Sequence, residues 1–311
     1  MKILITGGAG FIGSHIADAL ITSGHAVVVL DNLSSGSREN LNPNAQFIQG
    51  DICDHSLIDR LFSEHQFDII NHHAAQMDVR KSVEDPVFDA ETNIIGSINL
   101  LEASVKYSIK RFIFASTGGA IYGEQEYYPA DENHLTNPES PYGVAKRSIE
   151  LYLHYYNKVH GLAHTIFRYA NVYGPRQDPS GEAGVVSIFA NTLLQNKQCT
   201  VFGDGSQTRD YVYVGDLVRA HLLALENTMG SETFNISTGI ETSVNDLFTM
   251  LSDIIVGKKA EAIYADARKG ELERSVCSYK KAEKMLGWKP EIKLRDGLEK
   301  TVEYFQIGRT K

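Results

Sequence analysis

Short apolar, β-branched runs alternate with helix-length amphipathic segments through the first 170 residues, and this alternation restricts the fold more than any other feature. Lys2–Thr6, Ala26–Leu30, Gln46–Gln49, Asp68–Asn71, Arg111–Ala115 and His164–Arg168 read as strands. Phe11–Ser23, His55–His65, Pro86–Tyr107 and Pro141–His160 read as the helices between them. Strands joined by helix-length connections make right-handed crossovers and a parallel sheet. The runs are nearly continuous in Ile, Val and Leu, as strands covered on both faces should be. The fold class is therefore α/β, a doubly wound parallel sheet. After about residue 172 Gly and Pro cluster and the elements shorten, which predicts a smaller α/β region over 173–311 beside a first domain over 1–172. The two could exchange a strand, and the cleft between them is the default ligand site.

Composition excludes several classes of function. The chain has 311 residues, 30 basic against 39 acidic, for a net charge of −9. No basic stripe marks a nucleic-acid surface, so no nucleic-acid partner is expected. The longest apolar runs are strand-length, too short to span a membrane. The first strand pattern starts at Lys2, which leaves no room for a signal peptide. Cys53, Cys199 and Cys277 are far apart and share no cluster with His, arguing against a disulfide frame or a metal site. A cytoplasmic enzyme is the expectation.

The first strand runs into Gly7-Gly8-Ala9-Gly10-Phe11-Ile12-Gly13, a GxxGxxG spacing at the opening of a helix. Such glycines permit a tight turn and close approach of backbone to a pyrophosphate, which the helix N-terminus then attracts. Asp31 ends the second strand, where a carboxylate accepts both hydroxyls of a ribose. It would repel a 2′-phosphate, and Asn32, Leu33 and Ser34 follow it with no cation, so the cofactor predicted for this Rossmann-type domain is NAD rather than NADP. Arg38 is the nearest cation.

Tyr142 and Lys146 form a Tyr-x-x-x-Lys at the start of a helical pattern, on one helix face. Of the 15 tyrosines, this one alone has Lys four residues on. An ammonium one turn away favours the phenolate, making the phenol a usable base. Upstream, the fifth strand ends in Ser116-Thr117-Gly118-Gly119-Ala120, with hydroxyls facing the crevice where α/β sheets bind ligands.

Together these segments resemble the extended short-chain dehydrogenase/reductase family, and within it the sugar-nucleotide 4-epimerases of the UDP-galactose/UDP-glucose type. The resemblance runs along the whole chain: the glycine loop, Asp31-Asn32-Leu33, Gly50-Asp51-Ile52, His73-Ala74-Ala75-Gln76, Asn93, Tyr142 with Lys146, Arg168-Tyr169-Ala170-Asn171, Tyr173-Gly174-Pro175-Arg176, Phe202-Gly203-Asp204-Gly205 and Arg209-Asp210-Tyr211. It implies a cofactor site made by Gly7, Gly10, Phe11, Ile12 and Gly13, with Asn32, Ser35 and Gly36 beside Asp31. Asp51 and Ile52 would hold the adenine. His73, Ala74, Ala75, Gln76, Asn93, Ser116 and Tyr169 would line the nicotinamide half with Tyr142 and Lys146. For a UDP-sugar, Asn171, Arg209 and Arg268 would meet the diphosphate, Phe202 would line the site, and Glu271 would accept a ribose hydroxyl. Ser275 would stand at the sugar gate, leaving room for an N-acetyl group.

One position departs from the family pattern. Its catalytic hydroxyl lies four residues before the Tyr122-Gly123 pair, which here is Gly118. The nearest hydroxyls are Thr117, the expected substitute, and Ser116. Relatives that dehydrate or decarboxylate carry carboxylates where this chain has Gly119 and Ala120, so the resemblance implies oxidation at carbon 4 and return of the hydride. A UDP-glucuronate 4-epimerase, another nucleotide-sugar epimerase or dehydratase, and a non-catalytic NAD-binding regulator are the alternatives. Asp178, in Arg176-Gln177-Asp178-Pro179, disfavours an acidic sugar. The resemblance implies a homodimer in which the two long helices, Pro86–Tyr107 and Pro141–His160, pair across a two-fold axis.

Overall fold

The computed structural model describes residues 1–309 except 180–183, 228–229, 259, 269 and 271. In chain order the elements are β1 (Lys2–Thr6), α1 (Phe11–Thr22), β2 (Ala26–Asp31), β3 (Gln46–Gln49), α2 (His55–His65), β4 (Ile69–His72), α3 (Val79–Glu84), α4 (Pro86–Ala90), a π turn (Glu91–Ile95), α5 (Gly96–Lys106), β5 (Arg111–Thr117), α6 (Pro141–His160) and β6 (His164–Tyr169). There follow β7 (Asn171–Tyr173), α7 (Val185–Leu194), β8 (Thr200–Phe202), β9 (Thr208–Tyr213), α8 (Val214–Glu226), β10 (Glu232–Ile236), β11 (Glu241–Ser243), α9 (Val244–Val256), β12 (Ile263–Ala265), β13 (Arg274–Ser275), α10 (Lys280–Leu286) and α11 (Leu294–Arg309).

Seven strands form one parallel sheet in the order β10-β6-β5-β4-β1-β2-β3. The order reverses between β1 and β4, which opens a crevice at the carboxyl ends of the strands. Alternate residues feed opposite layers. Ile3, Ile5, Val27, Val29 and Ile113 pack with Ile16 and Leu20 of α1, Leu217 of α8 and the buried Trp288. Leu4, Val28, Leu30, Phe112 and Phe114 pack on the other face with Phe62, Leu100, Ile149 and Leu153 of α2, α5 and α6. This period-two division is why the strands read as unbroken apolar runs.

The predicted helix Pro86–Tyr107 is one rod with an interruption. The π turn Glu91–Ile95 separates α4 from α5 and carries Asn93, whose amide bonds to Gln76 and Asp89. A π turn has no periodicity signature of its own and is common at functional sites. Helix α3, six residues capped by Asp78, also escapes the sequence pattern.

The chain does not divide simply at residue 172. Beyond that point β10 returns to pair with β6 on the edge of the main sheet, and α8 lies against α1. The rest builds a second sheet in which β9 pairs with β7, β11 and β13, over a core of Phe189, Leu247, Phe248 and Leu251. Among the described residues no helix is long and apolar enough to cross a membrane.

A buried ion pair fastens α6 to the sheet. Arg168 on β6 donates from Nε to Oε1 of Glu150 at 2.9 Å and from Nη2 to Oε2 at 2.6 Å. Its Nη1 donates to the Tyr122 hydroxyl at 3.0 Å. Removing one member leaves the other charge buried without its partner. Arg168→Met should therefore lower unfolding free energy by about 3–5 kcal/mol in urea titrations; a loss below about 1 kcal/mol would show the pair to be dispensable.

Candidate active site

The first part of the site is a surface for an anion. Gly7 adopts φ +70°, and a Cβ on Gly13 would lie 2.3 Å from the Gly7 carbonyl oxygen, so neither position accepts a side chain without moving the loop. Helix α1 begins at Gly10 with no side-chain cap and no acidic residue in its first turn. By contrast α2, α3, α4, α6 and α9 are each capped by an Asp or Ser side chain. The uncapped end leaves first-turn N–H groups and the positive dipole end for a pyrophosphate. Phe11 and Ile12 line the adjoining cleft. A Cβ on Gly36 would stand 3.0 Å from Ala9, so the exposed Ser35-Gly36 turn rides directly over this loop.

Asp31 is buried at the end of β2, with one carboxylate oxygen accepting from Ala9 N at 2.9 Å and the other from Leu33 N at 2.8 Å. Asn32 reaches across to Asp51 at 2.8 Å, and Ile52 packs under Gly96. Arg38 is bound to Gln49 and lies over the Phe47 ring. These residues fit an adenosine whose ribose carries free hydroxyls.

The polar wall behind residues 74–76 is satisfied internally. Ala74 N donates to the Thr6 hydroxyl, which bonds His72 Nδ1, while His72 Nε2 meets Ser97, which donates to the Asn93 carbonyl. Because Ser97 gives its proton to that carbonyl, it accepts from His72, so His72 carries its proton on Nε2. The Gln76 and Asn93 amides bond each other's segments and Asp89. They shape the wall, and their side chains are already partnered. Ala75 continues this segment. His73 bonds Asn71 and lies 6.4 Å from the Tyr169 ring, parallel to it; burial pulls its pKa down to about 3. Tyr169 reaches His221 on α8.

Tyr142 and Lys146 project from the first turns of α6, which Ser140 caps and Pro141 starts. The Lys146 ammonium lies 5.8 Å from the Tyr142 ring centroid and donates to the Ala115 carbonyl at 2.9 Å. Burial lowers Lys146 to about 8, with Asp89 opposing the shift; burial raises the Tyr142 phenol, and Asp89 adds to that rise. A positive charge beside the phenol is the element that works in the opposite direction.

Both residues at the end of β5 border the cleft, and their hydroxyls have different partners. Ser116 donates to Glu150 at 2.7 Å and so belongs to the ion pair beneath the sheet. Thr117 lines the cleft, its oxygen accepting from Ala120 N at 3.2 Å. Gly118 points the other way, its missing Cβ directed at Cys277 and the Tyr169 carbonyl. A hydroxyl at position 118 would face the protein interior on this backbone.

The cleft, about 410 Å³, brings Thr117, Tyr142, Tyr169, Asn171, Phe202, Arg209 and Arg268 together. Arg268 lies 4.0 Å over the Phe202 ring, and Asn171 donates weakly to the Asp210 carbonyl. Ser275 is buried on β13, paired with Arg209. Glu271 lies outside the described residues. Met77 and Gln177 also line the cleft, though nothing in the sequence patterns marks them as lining residues. Glu150 could have been suspected, since it continues the face of Tyr142 and Lys146 one turn further.

A model of the NAD dependent epimerase/dehydratase family matches residues 3–237. The chain belongs to this family. It is 51% identical over 304 residues to a putative UDP-glucose 4-epimerase of Methanocaldococcus jannaschii, covering 98% of each. The UDP-glucose 4-epimerase of Thermotoga maritima, solved with UDP-glucose, superposes with a TM-score of 0.97 at 52% identity over 99% of this chain and all of that one. That of Thermus thermophilus, solved with NAD, gives 0.93 at 43% identity over 98% and 99%. The cofactor of this family is NAD, and the surface formed by the glycine loop, Asp31 and Asp51 fits it.

A buried lysine of lowered pKa has a cost to folding with a definite sign. Between about pH 8 and 10.5 the unfolded chain binds the Lys146 proton and the folded chain does not, so this residue makes stability rise with pH over that window. Lys146→Met should remove that rise and stabilise the cofactor-free protein by about 2–3 kcal/mol near pH 7. Paired urea titrations at pH 7 and pH 9.5 measure it; equal stability of the two proteins at both values would refute it.

Proposed function

We propose that this chain interconverts UDP-galactose and UDP-glucose by oxidising carbon 4 of the sugar and reducing it again from the opposite face. The observation that carries this reading is the convergence of Tyr142 and Thr117 on one cleft, with Lys146 buried beside the Tyr142 ring, where the neighbouring Gly119 and Ala120 supply no carboxylate. An elimination needs a second acid or base; a reversible oxidation does not. When bound, NAD supplies the hydride acceptor beside carbon 4 and a positive ring that favours the Tyr142 phenolate.

The chain's own residues do the rest. Tyr142 takes the proton of the 4-hydroxyl and later returns it. Lys146, fixed by the Ala115 carbonyl, holds a positive charge beside Tyr142 and reaches the cofactor ribose. Thr117 already accepts from Ala120, so its O–H is directed at the sugar oxygen. Arg209 and Arg268 grip the diphosphate, with Asn171 and Phe202 beside them and Glu271 on the uridine ribose. Anchored through its nucleotide, the oxidised sugar turns over between the two half-reactions. Arg176 pairs through Nη2 with Asp18 at 2.8 Å, which partly offsets the charge a sugar carboxylate would need. Ser275 is small, which supports tolerance of UDP-N-acetylhexosamines.

The test is incubation of the purified protein with UDP-galactose and no added NAD, followed by proton NMR. Conversion to a UDP-glucose mixture is expected. Tyr142→Phe should reduce turnover by about 10³-fold or more while retaining bound cofactor. Consumption of added NAD in proportion to product would instead identify a dehydrogenase.

The same reading includes a homodimer, and three unpaired thiols accord with a cytoplasmic setting. Val87, Ile95, Val144, Leu151, Tyr155 and Val159 are all exposed on α4, the π turn and α6, with Leu151 at 55% and Val87 at 65%. A cavity of about 530 Å³, lined by Pro86, Ala90, Ile94, Pro138 and Val144, adjoins this face. Apolar area this continuous matches an isologous contact. Sedimentation should show a dimer for the wild type and a monomer for Leu151→Glu; a monomeric wild type would end the proposal.

A further inference from the structure

We infer that Cys277 is a positioning residue for Thr117, its side chain filling the space behind the turn Thr117-Gly118-Gly119-Ala120 and so directing the Thr117 hydroxyl into the cleft. The inference rests on the role proposed above for Thr117.

The turn is held from behind at two points. Gly118 N donates to the Tyr169 carbonyl at 2.6 Å, and the Cys277 thiol approaches the Gly118 carbonyl at 3.7 Å. A Cβ at 118 would stand 3.0 Å from Cys277 Sγ and 3.2 Å from the Tyr169 oxygen, so sulfur and glycine fit each other with no room for another atom. On the opposite side Thr117 faces the substrate cleft.

Cys277 is itself fixed. Its carbonyl accepts from Ser237 at 2.8 Å, and its neighbours Val276 and Ser278 both bond the backbone of Ala130. The side chain is 1% exposed in a cluster with Ile121, Tyr122 and Ala130. Burial keeps the thiol protonated, so it acts by its volume. Interiors this dense transmit the addition of one methyl group as displacement, and a shift of about 1 Å at a reacting group costs about 10²-fold in rate.

Cys199 provides the comparison. It is also buried, with its thiol near the Phe189 carbonyl, but it belongs to the core of the smaller region. The experiment measures kcat and KM for UDP-galactose, together with bound cofactor, in Cys277→Val, Cys277→Ser and Cys199→Val. Cys277→Val should lose about tenfold or more in kcat with KM within about twofold and cofactor retained. Cys277→Ser, close in size, should recover most of kcat, and Cys199→Val should leave kcat in place. If valine prevents folding, the pair Gly118→Ala and Gly118→Ala/Cys277→Ala decides the matter: removing the sulfur should restore about threefold or more of the turnover lost to the alanine at 118. An unchanged kcat in Cys277→Val, an equal loss in Cys199→Val, a loss confined to KM, or no restoration in the double variant would overturn the inference. Thr117→Ala separates it from its premise. If that variant turns over normally, the role of Thr117 fails and this inference fails with it. If Thr117→Ala is impaired and Cys277→Val is not, this inference alone fails.

Discussion

The buried contact between Glu150 and Arg168 holds in register the elements that carry Tyr142 and Thr117. Glu150 lies two turns beyond Tyr142 on α6, and the same carboxylate accepts from Ser116, one residue before Thr117. The middle of α6 and the end of β5 are therefore joined by a single group. Arg168 extends the joint through Tyr122 to Asn235 on β10, whose amide reaches the Ala130 carbonyl. The helix bearing Tyr142, the strand bearing Thr117 and the segment returning from the C-terminal half thus meet in one hydrogen-bonded cluster. A buried charge pair of this kind contributes little net stability against an apolar substitute, but it is intolerant of wrong geometry.

The cofactor half works on a different principle. Its surface is made of backbone approached closely, with glycines at 7, 10 and 13 and an uncapped helix end. Behind it the chain Thr6, His72, Ser97 and Asn93 satisfies each buried donor and acceptor. That satisfaction holds His72 neutral, and desolvation works the same way, lowering its pKa. The wall is rigid because its polar groups already have partners, whereas the substrate half keeps Arg268 on the surface over Phe202, free to meet an anion.

Most of the framework was legible because it rests on local periodicity. Strand runs in Ile and Val, the 3.6-residue period of α6 and the i, i+4 relation of Tyr142 and Lys146 follow from backbone geometry alone. What escaped was non-local. The π turn at Glu91–Ile95 leaves no periodic trace, yet it sets Asn93. Asp89 reads as an ordinary helix residue until folding buries it near Tyr142 and Lys146. Met77 and Gln177 line the cleft from loops whose paths depend on what they pack against.

The amino-acid sequence by itself determined the parallel α/β sheet, the glycine turn at the start of α1, the acid at the end of β2 and the pairing of Tyr142 with Lys146 on one helix face, because each depends on spacings within one element or one turn. Only the tertiary structure distinguishes Ser116 from Thr117. What each hydroxyl and the turn behind it meets depends on contacts with Glu150, 34 residues on from Ser116, and Cys277, 159 residues beyond Gly118. It likewise decided that β10 returns to the main sheet, since an edge strand finds its partner by exposed backbone hydrogen-bonding groups that no local pattern records.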